Sequence, residues 1–240
     1  MNYREKIYAS YVSSGQARIS SQTAMFTIKR NSPYILHIIK HFFPKQKNVL
    51  INDLGCGYGK FLYVIKEQGY CNVKGVDISL EQVNIANQLG LSEVVNNDIS
   101  IYLFEQTDSP DLILMMDILE HFTKDELFEL LDLVFKKLKN NGKLIVHVPN
   151  GEGIFGNRII YGDLSHEICF TPSSITQALN IVGFKKVMVY EDKPIIHSIF
   201  SFFRRIIWEI GTLPFRILFM AETGRSKICL SQNMTIVAEK

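Results

Sequence analysis

The stretch INDLGCGYGK, residues 51–60, sets three glycines two apart directly behind an apolar run. VLINDL (49–54) is short, apolar and ends at glycines, which reads as a buried strand. KFLYVIKEQG (60–69) has helical spacing and stops at Gly69. A strand, a glycine turn and a helix in that order place a ligand at the carboxyl end of an open α/β sheet. Glycines there let the backbone turn tightly and come close to that ligand. Two phosphate-binding patterns fail on the residues. A G-x-G-x-x-G count from Gly55 lands on Lys60, and from Gly57 on Leu62. The G-x-x-x-x-G-K-[ST] pattern finds Leu54 and Phe61 where a glycine and a hydroxyl belong. Asp53, two residues before the first glycine, would repel a pyrophosphate and suits a cationic ligand.

Outward from this turn, strands and amphipathic helices alternate. VKGVD (73–77), EVVNND (93–98), DLILMMD (111–117), KLIVHVP (143–149), KKVMVYE (185–191) and NMTIVAE (233–239) read as strands. Ser79 with Gln82 and Thr123 with Glu126 form capping-box patterns, and Thr171-Pro172 opens a helix ending near Gly183. Leu127, Leu131, Val134 and Leu138 share one helical face, and NNG (140–142) ends that helix with Gly142 as its left-handed cap. SPYILHIIKHFF (32–43) is a helix with Ile35, Ile38, Ile39 and Phe42 on one stripe, stopped by Pro44. This alternation predicts a sheet covered on both faces. Residues 194–224, PIIHSIFSFFRRIIWEIGTLPFRILFMAETG, interrupt it. They read as a helical insertion packing on the sheet or a second subunit, or as a helix pair lying on a membrane surface.

At 240 residues and 47% hydrophobic, the chain can bury a sizeable core. A net charge of +2 gives no bulk attraction to nucleic acid. Cys56, Cys71, Cys169 and Cys229 have neither disulfide-framework nor zinc-site spacing, so reduced thiols and a cytoplasmic setting are expected. The first residues lack a signal-peptide apolar region, and no run of 18 apolar residues occurs.

The other strand ends carry matching chemistry. Asp77 stands where a carboxylate accepts bonds from ribose hydroxyls, and Asp98 where one meets an exocyclic amine. Ile78 and Ile99 follow these acids and offer apolar faces for a flat base. Together they describe a nucleoside with a positively charged tail. NDLGCGYGKF, GVDIS, NNDIS and LILMMDILEHF, in this order, resemble the class I S-adenosylmethionine-dependent methyltransferases, most closely the branch of ubiquinone-pathway and sugar-modifying enzymes. The resemblance covers about residues 48–191. It implies a Rossmann-like seven-stranded sheet with helices on both faces and an antiparallel last strand, before which 194–224 form the helical insertion. The domain would be 47–240, with 1–46 as a helical lid carrying Tyr8 and Tyr11. It also implies that Asp53, Gly55, Cys56, Gly57 and Gly59 approach the methionine part of S-adenosyl-L-methionine. Asp77 would then bind the ribose, Asp98 and Ile99 would meet the adenine with Ile78 on the other side of the base, and Met116 and Asp117 would line the methyl-donor side.

Methyl transfer is an in-line displacement whose main demand is alignment, and a hydroxyl acceptor gains from a base titrating near neutrality. His166 and His121, on loops behind the fifth and fourth strands, are the candidate bases, while His147 reads as structural. Arg158, Tyr161 and Asp163, in or beside the long glycine-rich loop 149–163, are the candidate acceptor contacts. Asp163, His166 and Glu167 could hold a metal together, but without a further ligand none is assigned. The expected enzyme O-methylates a sugar or glycan intermediate of bacterial surface-polysaccharide assembly. The alternatives are a methyltransferase of a quinone or other lipid, with 194–224 touching the inner membrane face, and a non-catalytic cofactor-binding protein. A homodimer is an open possibility for partners.

Overall fold

The computed structural model describes residues 20–240 together with Tyr3, Lys6 and Ile7. Tyr8 and Tyr11 lie outside the described residues. The elements are α1 (Ser21–Phe42), β1 (Ile51–Leu54), α2 (Lys60–Glu67), β2 (Val73–Asp77), α3 (Leu80–Gln88), β3 (Val94–Asn96) and α4 (Ile99–Glu105). There follow β4 (Leu112–Met116), a 3-10 turn (Leu119–His121), α5 (Lys124–Lys137), β5 (Lys143–Pro149), α6 (Gly156–Ile160), α7 (Pro172–Val182), β6 (Lys185–Glu191), α8 (Ile199–Thr223) and β7 (Asn233–Glu239).

The seven strands form one sheet in the order β3-β2-β1-β4-β5-β7-β6. β7 runs antiparallel to both neighbours, and the remaining pairs are parallel. The order reverses between β1 and β4, and the crevice at such a switch point is where α/β sheets bind ligands. Inward strand residues alternate between two cores. Ile51, Leu112, Leu114 and Ile145 face α1, α2 and α3, and Ile113, Met115, Leu144 and Ile236 face α5 and α7. All eight are fully buried, as a sheet covered on both sides requires.

Local corrections have local causes. α1 begins at Ser21 and runs through Pro33, eleven residues before the expected start. Ser20 caps it in a box with Thr23, and Ala24 and Ile28 extend the apolar stripe into the core. Ser79 caps α3 in position but makes no side-chain bond there, whereas the Thr123–Glu126 and Thr171–Ser174 boxes are closed. After α5 the left-handed residue is Asn141 (φ 64°), not Gly142, since asparagine tolerates that region. The insertion is one helix rather than a pair, because Pro214 sits on its exposed side within a continuous α8.

α8 is turned the opposite way from a core helix. Its stripe toward the protein is Ser201, Arg205, Trp208, Thr212 and Arg216. Arg216 forks onto both Glu191 carboxylate oxygens at 2.8 Å and donates to the Ile228 carbonyl. Phe200, Phe203, Ile207, Ile210, Leu213 and Leu218 point outward and are exposed. Among the described residues, no helix is long and apolar enough to cross a membrane.

Candidate active site

The glycine turn follows β1 because Gly55 and Cys56 donate their backbone N–H groups to the Val76 carbonyl, folding the chain over β2. Gly55 has φ +72°, and a Cβ on it would lie 2.1 Å from Ile118 Cδ1. Gly59 has φ +77° as the residue before α2, and a Cβ there would meet Leu91 at 2.4 Å. Only glycine fits at both places. Cys56 turns its side chain into the first core, so the bare backbone is what this turn offers a ligand.

Three acids stand at neighbouring strand ends. Asp53 is 2% exposed, and its Oδ1 is buried with no hydrogen-bond partner. Burial pushes its pKa up to about 7, against the pull of nearby Lys60. Asp77 accepts from Gly57 N–H at 2.7 Å and from Ser79 N–H at 2.8 Å, so it fixes the glycine turn itself. Burial raises its pKa and these two bonds oppose the shift. Asp98 is exposed and caps α4 through Oδ1. Ile78 is 52% exposed and available as a platform, while the Ile99 side chain is buried in the second core. An orphaned carboxylate oxygen, bare backbone and an exposed apolar face fit a nucleoside with a cationic amino-acid tail.

Beyond the β4 end a cavity of about 410 Å³ opens. Tyr34 and Arg30 line it from α1, Lys60 and Phe61 from α2, Met116 from the end of β4, Asp117 just after it, and His147 from β5. Asp192, Lys193, His197 and Arg204 line the far side. Asp117 holds a left-handed φ of 60°, rare without glycine, and is fixed there by its N–H on the His147 carbonyl at 2.9 Å. Its Oδ1 meets His147 Nδ1 at 2.5 Å, and Asp192 Oδ2 meets His147 Nε2 at 2.7 Å. Tyr34 and Thr235 complete this network around Asp192. His147 loses solvation on burial, yet its two carboxylate partners win and raise its pKa well above 6.5. Asp117 is correspondingly held down at about 2: burial raises it, and the histidine charge and bond outweigh that. His147 therefore carries a proton at neutral pH and cannot serve as base. The structure gives it a place that its mid-strand position did not show.

The two histidines expected behind β4 and β5 do come together, with ring centroids 4.8 Å apart. Ser165 Oγ gives its single hydrogen to Asp163 Oδ1 at 2.5 Å, so His121 Nδ1 donates to Ser165 at 2.9 Å. His166 Nδ1 donates to the Ile160 carbonyl at 3.0 Å. Burial, then repulsion from His166, lowers the His121 pKa. Arg158 and Tyr161 are exposed, Tyr161 at 81%, and they, like His121 and His166, do not line the cavity. Asp163 acts as a brace for Ser165. The loop's glycines serve packing instead: a Cβ on Gly156 would lie 2.0 Å from the Asn150 carbonyl oxygen.

Residues 27–189 match the family described as "Methyltransferase domain". An uncharacterized protein of Methanocaldococcus jannaschii is 32% identical over 145 residues, which is 60% of this chain and 59% of that one. The chain thus spans under two thirds of that relative. A crystal structure of a SAM-dependent methyltransferase from Archaeoglobus fulgidus superimposes with a TM-score of 0.66 at 24% identity, over 96% of this chain and 99% of the other. Phosphoethanolamine N-methyltransferase 2 of Haemonchus contortus, in complex with S-adenosyl-L-methionine, gives 0.65 at 16% identity, over 97% of this chain and 60% of that one.

Proposed function

The chain belongs to the methyltransferase-domain family, and on that premise we propose that it transfers a methyl group from S-adenosylmethionine to the oxygen of an anionic sugar or glycan intermediate. The cofactor supplies a methyl group on a sulfonium, already activated for displacement. The orphaned oxygen of Asp53 would take the α-ammonium of its methionine part, the glycine turn would leave room for that tail, and Asp77 and Asp98 would serve ribose and adenine.

The observation that supports an anionic acceptor is the charge of the cavity. Arg30, Lys60 and Arg204 line it, and its acids Asp117 and Asp192 are both committed to the protonated His147. A phosphate or carboxylate on the acceptor suits such a wall. The Asp117–His147–Asp192 chain then acts as a rigid floor, and alignment against Met116 and Asp117 is its contribution to rate. Activation of the acceptor oxygen would fall to the His121–His166 pair, which stands outside the cavity lining on the loops behind β4 and β5, with its Nδ1 atoms hydrogen-bonded to Ser165 and Ile160.

The outward apolar face of α8 favours a second reading of the acceptor as a lipid-borne glycan or a quinone. Arg204 on this helix also lines the cavity, so a lipid bilayer along α8 would sit beside the entrance. Labelled methyl transfer into separate aqueous and lipid extracts of the source cells distinguishes the two. A methylated sugar phosphate or nucleotide sugar in the aqueous fraction supports the first reading, and a methylated lipid the second. Label recovered only in protein or nucleic acid refutes both.

A further inference from the structure

Glu120, His121 and His166 each place one ligand atom so that all three atoms lie within 4.8 Å of one another. The sequence pattern had grouped His166 with Asp163 and Glu167. The fold replaces those acids with Glu120, because the backbone N–H groups of Glu167 and Ile168 both donate to the Glu120 carbonyl and pin the two loops together. Glu120 is 1% exposed and its Oε2 is buried without a hydrogen-bond partner. An unpartnered carboxylate oxygen at that depth is costly unless something cationic meets it.

The surroundings of the histidines carry the argument further. A metal-ligating imidazole almost always donates its other N–H to a carboxylate, backbone carbonyl or water, which fixes the tautomer, and the Ser165 hydroxyl backed by Asp163 is an equivalent acceptor. Both rings are held in that way, His166 on the Ile160 carbonyl and His121 on Ser165, with Asp163 behind Ser165. These bonds set the tautomer with the hydrogen on Nδ1 in each ring. We propose that Glu120, His121 and His166 bind one divalent transition-metal ion, with Ser165 and Asp163 as its outer support. Two imidazoles and one carboxylate favour zinc, iron or cobalt over magnesium and leave coordination positions open. Such a cation would bind the acceptor oxygen and lower its pKa. That use rests on the methyl-transfer reading above, whereas the binding itself does not.

The test is Co²⁺ titration of the full chain, followed by visible d–d absorption, with Zn²⁺ displacement and Mg²⁺ as a poor competitor. One equivalent of Co²⁺ is expected to give the absorption. His166→Ala and Glu120→Gln should abolish it, and Ser165→Ala should weaken binding roughly 10–100-fold. Circular dichroism melts of each variant separate lost binding from lost fold. For a variant that melts early, Zn²⁺ protection of the native chain against diethyl pyrocarbonate, mapped at His121 and His166 by mass spectrometry, gives the answer without substitution. His37 and His41, stacked on the exposed side of α1, are a competing surface site. Retention of the signal in His41→Ala supports the proposal. Its loss there, its persistence in folded His166→Ala, or absence of binding overturns it. Metal binding without methyl transfer would leave the site standing and sink the function reading instead.

Discussion

Asp53→Asn separates the cost of the buried carboxylate from its use. The side chain is 2% exposed, one oxygen has no partner, and burial lifts its pKa from 3.8 to about 7. An acid whose folded-state pKa is raised binds more protons folded than unfolded between those values. Stability conferred by the protonated form is therefore present below pH 3.8 and lost as pH rises toward 7. Three units correspond to about 4 kcal/mol, fully expressed by pH 8. Asparagine keeps the shape and removes the titration. The variant should thus gain about 4 kcal/mol over the parent between pH 4 and pH 8, a relative rise in melting temperature of roughly 10 °C for a domain of this size. The ligand should see the opposite sign. S-adenosylhomocysteine keeps the α-ammonium, so its affinity for the parent should fall about tenfold per unit below pH 7, and the variant should bind weakly with no such slope. Scanning fluorimetry across pH, with and without ligand, reads both effects. A melting difference that stays flat with pH would falsify the burial argument, and unaltered ligand affinity in Asp53→Asn would remove the carboxylate from the cofactor site.

Other perturbations test neighbouring parts. Asp77→Ala frees the N–H groups of Gly57 and Ser79 and should cost about 1–3 kcal/mol of stability with most of the cofactor affinity; unchanged calorimetric binding refutes the ribose assignment. Gly55→Ala meets both a left-handed φ and Ile118 Cδ1 at 2.1 Å, so a loss above about 1 kcal/mol in urea melts is expected, and a neutral result would mean that the turn yields. The His147 ring should titrate well above 6.5 by proton NMR. A group raised in this way stabilises below 6.5 and loses that contribution as pH climbs through its folded value, so a midpoint at or under 6.5 contradicts the charged floor. Removing the apolar face of α8 by changing Phe200, Phe203 and Ile207 to Ser should leave thermal stability nearly unchanged while reducing co-sedimentation with anionic vesicles; equal sedimentation of both proteins argues against the bilayer contact.

The strands were legible from local pattern, though not their order in the sheet. Strand positions 143–149, 185–191 and 233–239 coincide with the observed elements, because period and turn chemistry are local properties. The same holds for the Asp53–Gly59 turn, whose glycines are demanded by their own backbone angles. The stretch 194–224 was legible as a helical, apolar interruption, but not the direction of its faces. That direction depends on Arg216 finding Glu191 and the Ile228 carbonyl across space. The cavity itself comes from tertiary packing alone. It joins α1, the β4 end, His147 and the segment after β6, which are far apart along the chain, so spacing could not forecast their meeting. Likewise His147 and Asp192 are 45 residues apart, yet the antiparallel pairing of β5 and β7, with β6 on the far side, brings them to 2.7 Å. Charge, exposure and pKa are properties of such neighbours. The sequence could therefore offer histidines as candidates, while the fold decided which one is locked in a carboxylate clamp and which two stand together beside Glu120.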